Sequence, residues 1–157
     1  MSSKKLAKLE GKDAEPKTVT DDLDFNAVQQ VAQNQTVIFE PLPGPHTEFL
    51  AAPEREVLFG GAAGGSKTYS LIADPLRYFS NGNFNGLLLR RTNDELREIV
   101  WATQKLYPQA YPGANWSAKA SQWTFPSGAR LWLTYLERPE DVLRYQGHAF
   151  CWIGWDE

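Results

Sequence analysis

A single cysteine, Cys151, leaves no possibility of an internal disulfide and fits a reducing cytoplasm. It sits in an apolar run and reads as a small core residue rather than a nucleophile. Histidine is nearly as scarce: His46 and His148, taken with that cysteine, show no metal-ligand spacing. No apolar stretch approaches the ~20 residues of a membrane helix, and the lysine-bearing N-terminus has no apolar signal core. Neither a secreted nor a membrane protein is expected. A basic excess is missing too: 16 Lys and Arg against 19 Asp and Glu give a net charge of -3, so nucleic-acid binding cannot be read from overall charge. There are no internal repeats. At 157 residues and 42% hydrophobic content the chain can bury one domain's core and hardly more.

What the chain does have is glycine in one place. Residues 60–68 read Gly-Gly-Ala-Ala-Gly-Gly-Ser-Lys-Thr, entered by the apolar run Val57-Leu58-Phe59 and left by an apolar-periodic stretch from about Tyr69. Strand, glycine loop and helix in that order make a phosphate cradle, because successive backbone N–H groups turn inward at a helix N-terminus. Counted from Gly61, the spacing is G-x-x-x-x-S-K-T, one position away from the P-loop pattern G-x-x-x-x-G-K-[ST]. Gly61, Ala62, Ala63, Gly64, Gly65 and Ser66 then form the cradle, Lys67 reaches the β- and γ-phosphates, and the Thr68 hydroxyl ligates Mg²⁺. Ser66 is the departure. Serine keeps the N–H, but if φ > 0 is required there, the misfit costs about 1–2 kcal/mol. The bland alternative is a glycine-rich turn carrying an exposed lysine.

The nearly all-apolar run Phe150-Cys151-Trp152-Ile153-Gly154-Trp155 has the length of a buried strand. It delivers Asp156 and Glu157 at its C-terminal edge, where open α/β sheets bind ligands. A hydrolytic P-loop ATPase uses such a pair, the aspartate for the Mg²⁺ shell and the glutamate to polarise the attacking water. A surface acidic pair capping a strand is the competing explanation.

Residues 1–40 are polar, of mixed charge and then glutamine-rich, which suits a flexible arm with a short helix around Phe25 to Ala32. Pro41, Pro43 and Pro45 form a stiff boundary, and residues 41–157 form the compact region. Thr47 to Leu50 reads as a short helix. Pro75 should kink or end the helix after the loop near Asp74. Gly86 to Leu89 reads as a second buried strand ending in Arg90-Arg91-Thr92, and Asn93 as the N-cap of a helix reaching about Lys105 with Leu96, Ile99 and Val100 on one face. Trp123 to Phe125 and Arg130 to Leu136 flank Pro126-Ser127-Gly128, a hairpin signal. Strands alternating with helices argue for an α/β sheet. Of the six tryptophans, packing rather than base stacking accounts for Trp123, Trp132, Trp152 and Trp155; Trp116 is left open.

Four segments in this order carry a family resemblance: Pro43 through the loop to Thr68, Leu88-Leu-Arg-Arg-Thr-Asn-Asp-Glu-Leu-Arg, Phe125-Pro-Ser-Gly-Ala, and Arg144-Tyr-Gln-Gly-His-Ala-Phe-Cys-Trp-Ile-Gly-Trp-Asp-Glu. Together they resemble the ATPase domain of bacteriophage terminase large subunits over residues 43–157. The resemblance implies a P-loop NTPase of the additional-strand, catalytic-glutamate type: a three-layer α/β sandwich around a mostly parallel sheet, incomplete at its C-terminus. It implies an ATP-driven motor, with ATP and Mg²⁺ as cofactors, threading double-stranded viral DNA through a portal protein into a procapsid in the host cytoplasm. A small terminase subunit and a homo-oligomeric ring are implied as well, and no membrane. Family roles carry over to Lys67 for phosphates, Thr68 and Asp156 for Mg²⁺, and Glu157 as catalytic carboxylate. His46 stands near where the family often has an adenine-reading glutamine. Ala62 and Ala63 supply no arginine within the loop, so Arg144, with Arg90 and Arg91 as rivals, is the candidate arginine finger.

A strand that the family inserts between the loop strand and the Asp-Glu strand has no sequence here to build it, and the family's nuclease domain is not present. The chain is therefore expected to be an N-terminal fragment that binds ATP weakly and turns it over poorly or not at all. Two other functions compete: another P-loop enzyme, such as a helicase or small-molecule kinase, and a catalytically inactive docking module.

Overall fold

The computed structural model describes residues 37–61 and 66–156, all within one compact unit, Val37–Glu157. The arm and its expected short helix therefore fall, up to residue 36, outside the described residues. In chain order come helix α1 (Pro45–Ala51), helix α2 (Lys67–Ala73), a 3-10 helix (Asp74–Tyr78), β1 (Asn85–Arg90), helix α3 (Asn93–Ala110), β2 (Asn115–Ser117), β3 (Gln122–Thr124), β4 (Arg130–Tyr135), a second 3-10 helix (Pro139–Tyr145) and β5 (Trp152–Trp155).

The five strands form one sheet in the order β2-β3-β4-β1-β5. β1 is an interior strand, between β4 and β5, and reads as the sequence suggests: Leu87, Leu88 and Leu89 are all buried, which a strand achieves only when both its faces are covered. It pairs in parallel with β4, Leu88 opposite Leu133, and in parallel with β5, Leu88 opposite Gly154. β2–β3 and β3–β4 are antiparallel. The domain is mixed α/β, and the sheet is mixed rather than mostly parallel. The cause is local. Pro126-Ser127-Gly128 makes a tight turn, with Gly128 at φ 96° and its N–H bonded to the Phe125 carbonyl at 2.9 Å, and a turn that short can join only antiparallel strands.

Helices α2 and α3 cover one face of the sheet. Ile72, Leu96, Ile99, Leu106 and Tyr107 meet Leu88, Leu131, Leu133 and Trp123, the alternate residues of the strands. Trp123 is buried, edge-on to Tyr107 at 5.4 Å, with its indole N–H on Thr103 Oγ1 at 3.1 Å. On the opposite face the second 3-10 helix reaches the sheet through Tyr145, whose hydroxyl is 2.6 Å from Thr134 Oγ1.

Several elements differ from expectation. The cap of α3 is Thr92, not Asn93. Its hydroxyl accepts the Glu95 N–H while the Glu95 carboxylate accepts the Thr92 N–H, a capping box. The helix runs on to Ala110, because Leu106 and Tyr107 continue the buried stripe beyond Lys105. Pro75 does end α2, which passes at Asp74 into the 3-10 helix.

The run 150–155 is shorter and less buried than predicted. β5 flanks β1 on one side and pairs with nothing on the other among the described residues, so only Gly154 is fully covered. Trp155 is 58% exposed, and packing does not account for it. Cys151 precedes the strand and is exposed rather than in the core; its Sγ and N–H meet the Asn85 carbonyl at 3.4 and 3.0 Å. Val57 to Phe59 joins no ladder, and Leu58 is 98% exposed. A gap of about 430 Å³ separates it from Trp155 and Asp156, which leaves its backbone without a strand to bond.

Candidate functional site

Two strand ends and one helix start converge at Asp156. β1 and β5 run in parallel with Leu89 opposite Trp155, so the residues that follow, Arg90 and Asp156, emerge side by side. The Asp156 N–H extends the ladder to the Leu89 carbonyl at 2.9 Å, which fixes the backbone, and its side chain is only 7% exposed. From the other side α2 brings Thr68, whose Oγ1 donates to Asp156 Oδ2 at 2.8 Å. The same Oδ2 accepts from Nη1 of Arg90. A buried carboxylate needs such partners, since an unpaired charge in this position is costly.

Lys67, adjacent in the chain, donates from its Nζ to the Gly61 carbonyl at 2.6 Å. Ser66 carries φ 58° and ψ 16°, the left-handed region, as it leads into α2. The pattern's glycine is thus replaced where a glycine's freedom is used. Ala62, Ala63, Gly64, Gly65 and Glu157 lie outside the described residues.

His46, on α1, is brought to α2: its Nδ1 is 2.8 Å from Ser70 Oγ, and its ring stands edge-on to Phe59 at 5.2 Å. Beside it opens a cavity of about 360 Å³ lined by Ile38, Phe39, Leu42, His46, Ser66 and Tyr69 among others. The cavity borders the Ser66 end of the glycine loop.

The structure does not bring Arg144 to these groups. It is 61% exposed on the second 3-10 helix and pairs with Asp141 at 2.9 Å. Asp141 is itself buried and accepts the N–H groups of Glu137 and Arg138 at 3.1 and 3.0 Å, so Arg144 balances a structural carboxylate. Arg91 is exposed. Arg90 sits at the site, but as the partner of Asp156. Sequence reasoning had it only as a rival finger. The available signal was the pair of parallel strand ends, which places the residue after each strand beside its neighbour.

Electrostatics add one titration. Glu95 lies below the usual carboxylate range, first because the Thr92 hydroxyl bonds it and further because Arg90 and Arg91 are near. Among the described residues no group of three or more His, Cys, Asp or Glu could hold a metal, and no helix is long and apolar enough to cross a membrane.

A comparison with protein-family models finds no match, and comparisons with curated proteins and with solved structures find none either.

Proposed function

We propose that this domain binds Mg-ATP between the Lys67-Thr68 turn and Asp156 and hydrolyses it, as the nucleotide-handling part of a terminase-type motor that packages double-stranded viral DNA. The observation that carries the reading is the 2.8 Å contact between Thr68 and Asp156, groups 88 positions apart in the chain. A hydroxyl next to a phosphate-binding lysine and a carboxylate at a strand's C-terminal end meet where the motif requires them to meet.

The pair fits Mg²⁺. Oxygens held at about 2.1 Å in an octahedron lie about 3 Å from one another, which is the spacing of Thr68 Oγ1 and Asp156 Oδ2. Mg²⁺ ordinarily takes one or two protein oxygens, with water and phosphate supplying the rest, so a larger acidic cluster is not needed. When bound, the ion offsets charge developing on the β- and γ-phosphate oxygens.

The chain's own groups then divide the work. Lys67 exchanges the Gly61 carbonyl for phosphate oxygens, a stronger, charge-assisted contact. The cavity beside Ser66, lined by Phe39, Leu42 and Tyr69, takes the base, and His46, held at Nδ1 by Ser70, is the candidate adenine contact. Glu157 polarises the attacking water. The arginine finger comes from elsewhere, Arg144 of a neighbouring subunit in a ring being the candidate. Double-stranded DNA, a portal protein and a small terminase subunit are the partners this reading entails, at the procapsid in the host cytoplasm.

The test is ATP binding by calorimetry with Mg²⁺ and with EDTA. Wild type should bind in a Mg²⁺-dependent way, and Lys67→Ala should lose at least about tenfold in affinity. Equal binding by both proteins would remove the basis of the proposal. Glu157→Gln should retain bound ATP and show no turnover; phosphate transfer to a small acceptor would instead indicate a kinase.

A further inference from the structure

Arg90 lies between two carboxylates and satisfies only one of them. Its Nη1 bonds Asp156 Oδ2, whereas its Nε stands 3.7 Å from Glu95 Oε2, beyond hydrogen-bond reach. That Nε is buried and has no hydrogen-bond partner among the described residues, although the side chain as a whole is 19% exposed. A buried guanidinium normally fills its fork. Glu95, meanwhile, is a fixed acceptor: its Oε2 takes the Thr92 hydroxyl at 2.8 Å and the Thr92 N–H at 3.2 Å.

We propose that Arg90 is a built-in competitor of the divalent cation, holding Asp156 toward Thr68 and passing to Glu95 when the cation takes Asp156 Oδ2. The inference rests on the Mg-ATP reading above. A cation coordinated by that oxygen uses the electron pairs that Arg90 donates into, and its two positive charges repel a guanidinium at contact distance. Arginine cannot shed its proton to relieve the repulsion, so the side chain has to move. Glu95 is the carboxylate already beside it, and closing the 3.7 Å gap supplies the partner that Nε lacks. Because Glu95 is also half of the capping box of α3, occupancy of the cation site is linked to the start of that helix. Arg90 acts here as a positioning residue, through Asp156.

The experiment is a Mn²⁺ titration followed by electron paramagnetic resonance, with ATP present, on the whole 157-residue chain. Arg90→Met removes the competitor and keeps the apolar stem, so Mn²⁺ affinity should rise about tenfold. Arg90→Lys, which keeps the charge, should restore affinity toward wild type. Glu95→Gln keeps an acceptor for the cap but removes the charge to which Arg90 retreats, so affinity should fall severalfold. Opposite shifts in Arg90→Met and Glu95→Gln support the proposal; equal affinities, or a fall in Arg90→Met while circular dichroism shows it folded, overturn it. If Arg90→Met does not fold, Glu95→Gln decides: a fall in affinity supports and no change overturns. Unchanged Mn²⁺ binding in both variants, beside ATP binding that Lys67→Ala abolishes, would sink this inference and leave the Mg-ATP reading standing. A wild type that takes up neither ATP nor Mn²⁺ would sink both.

Discussion

Thr68 Oγ1 donates to Asp156 Oδ2 at 2.8 Å, tying the first turn of α2 to the end of β5. Thr68→Ala removes one hydrogen bond to a buried charge and should lower stability by about 1.5–3 kcal/mol by urea unfolding. It should also abolish the Mg²⁺ dependence of ATP binding, while Thr68→Ser keeps both. Retention of Mg²⁺-dependent binding by folded Thr68→Ala would show that the hydroxyl is no ligand.

Ser66 leads into α2 at φ 58°. Glycine reaches this region without the penalty an L side chain meets, though it brings a more flexible unfolded chain. Ser66→Gly should therefore stabilise the domain by about 0.5–1 kcal/mol, read as a rise in the denaturant midpoint. A lower midpoint would mean that the serine side chain contributes something its backbone angle does not reveal.

Tyr107 is wholly buried, and burial raises its phenol well above the ordinary value of 10.0, while its hydroxyl donates to the Ile72 carbonyl at 2.9 Å. For a group whose folded value is the higher one, the stabilising difference is complete below pH 10.0 and is lost as pH rises further, because only the unfolded chain ionises readily. Wild type should thus lose stability above about pH 10 more steeply than Tyr107→Phe. At neutral pH that variant should be weaker by about 1 kcal/mol for the missing hydrogen bond. Parallel alkaline profiles for the two proteins would contradict the burial argument.

Gly154 lies beneath the indole of Trp152, and a Cβ there would collide with the ring. Trp152 is pinned in turn by its N–H on Asp74 Oδ2 at 2.8 Å. Gly154→Ala should therefore cost about 1–3 kcal/mol and change the tryptophan near-ultraviolet dichroism. An unperturbed spectrum at wild-type stability would show that the ring yields freely.

The parts of the fold legible in the sequence are those governed by nearby residues. Gly86 to Leu89 announced a buried strand, Pro75 ended its helix where expected, and Pro126-Ser127-Gly128 made the hairpin. The Lys67-Thr68 turn and Asp156 could be named as a candidate pair, and their proximity then appeared in the structure. What escaped was set by neighbours distant in the chain. Nothing within Val57 to Phe59 says that a strand must find a free ladder, and nothing around Arg90 says that Asp156 will emerge next to it. Cys151 and Trp155 misled for a related reason: an apolar run is covered on both sides only when its strand has neighbours on both sides, and β5 has β1 alone among the described residues.

That asymmetry bears on how the protein behaves in a test tube. Among the described residues the far flank of β5 has no paired strand, so its backbone donors and acceptors beside Ile153 and Trp155 are a template onto which another molecule's strand can zip. Concentrated samples should drift toward larger particles by light scattering, and Ile153→Lys, which sets a charge on that flank, should keep them small for longer.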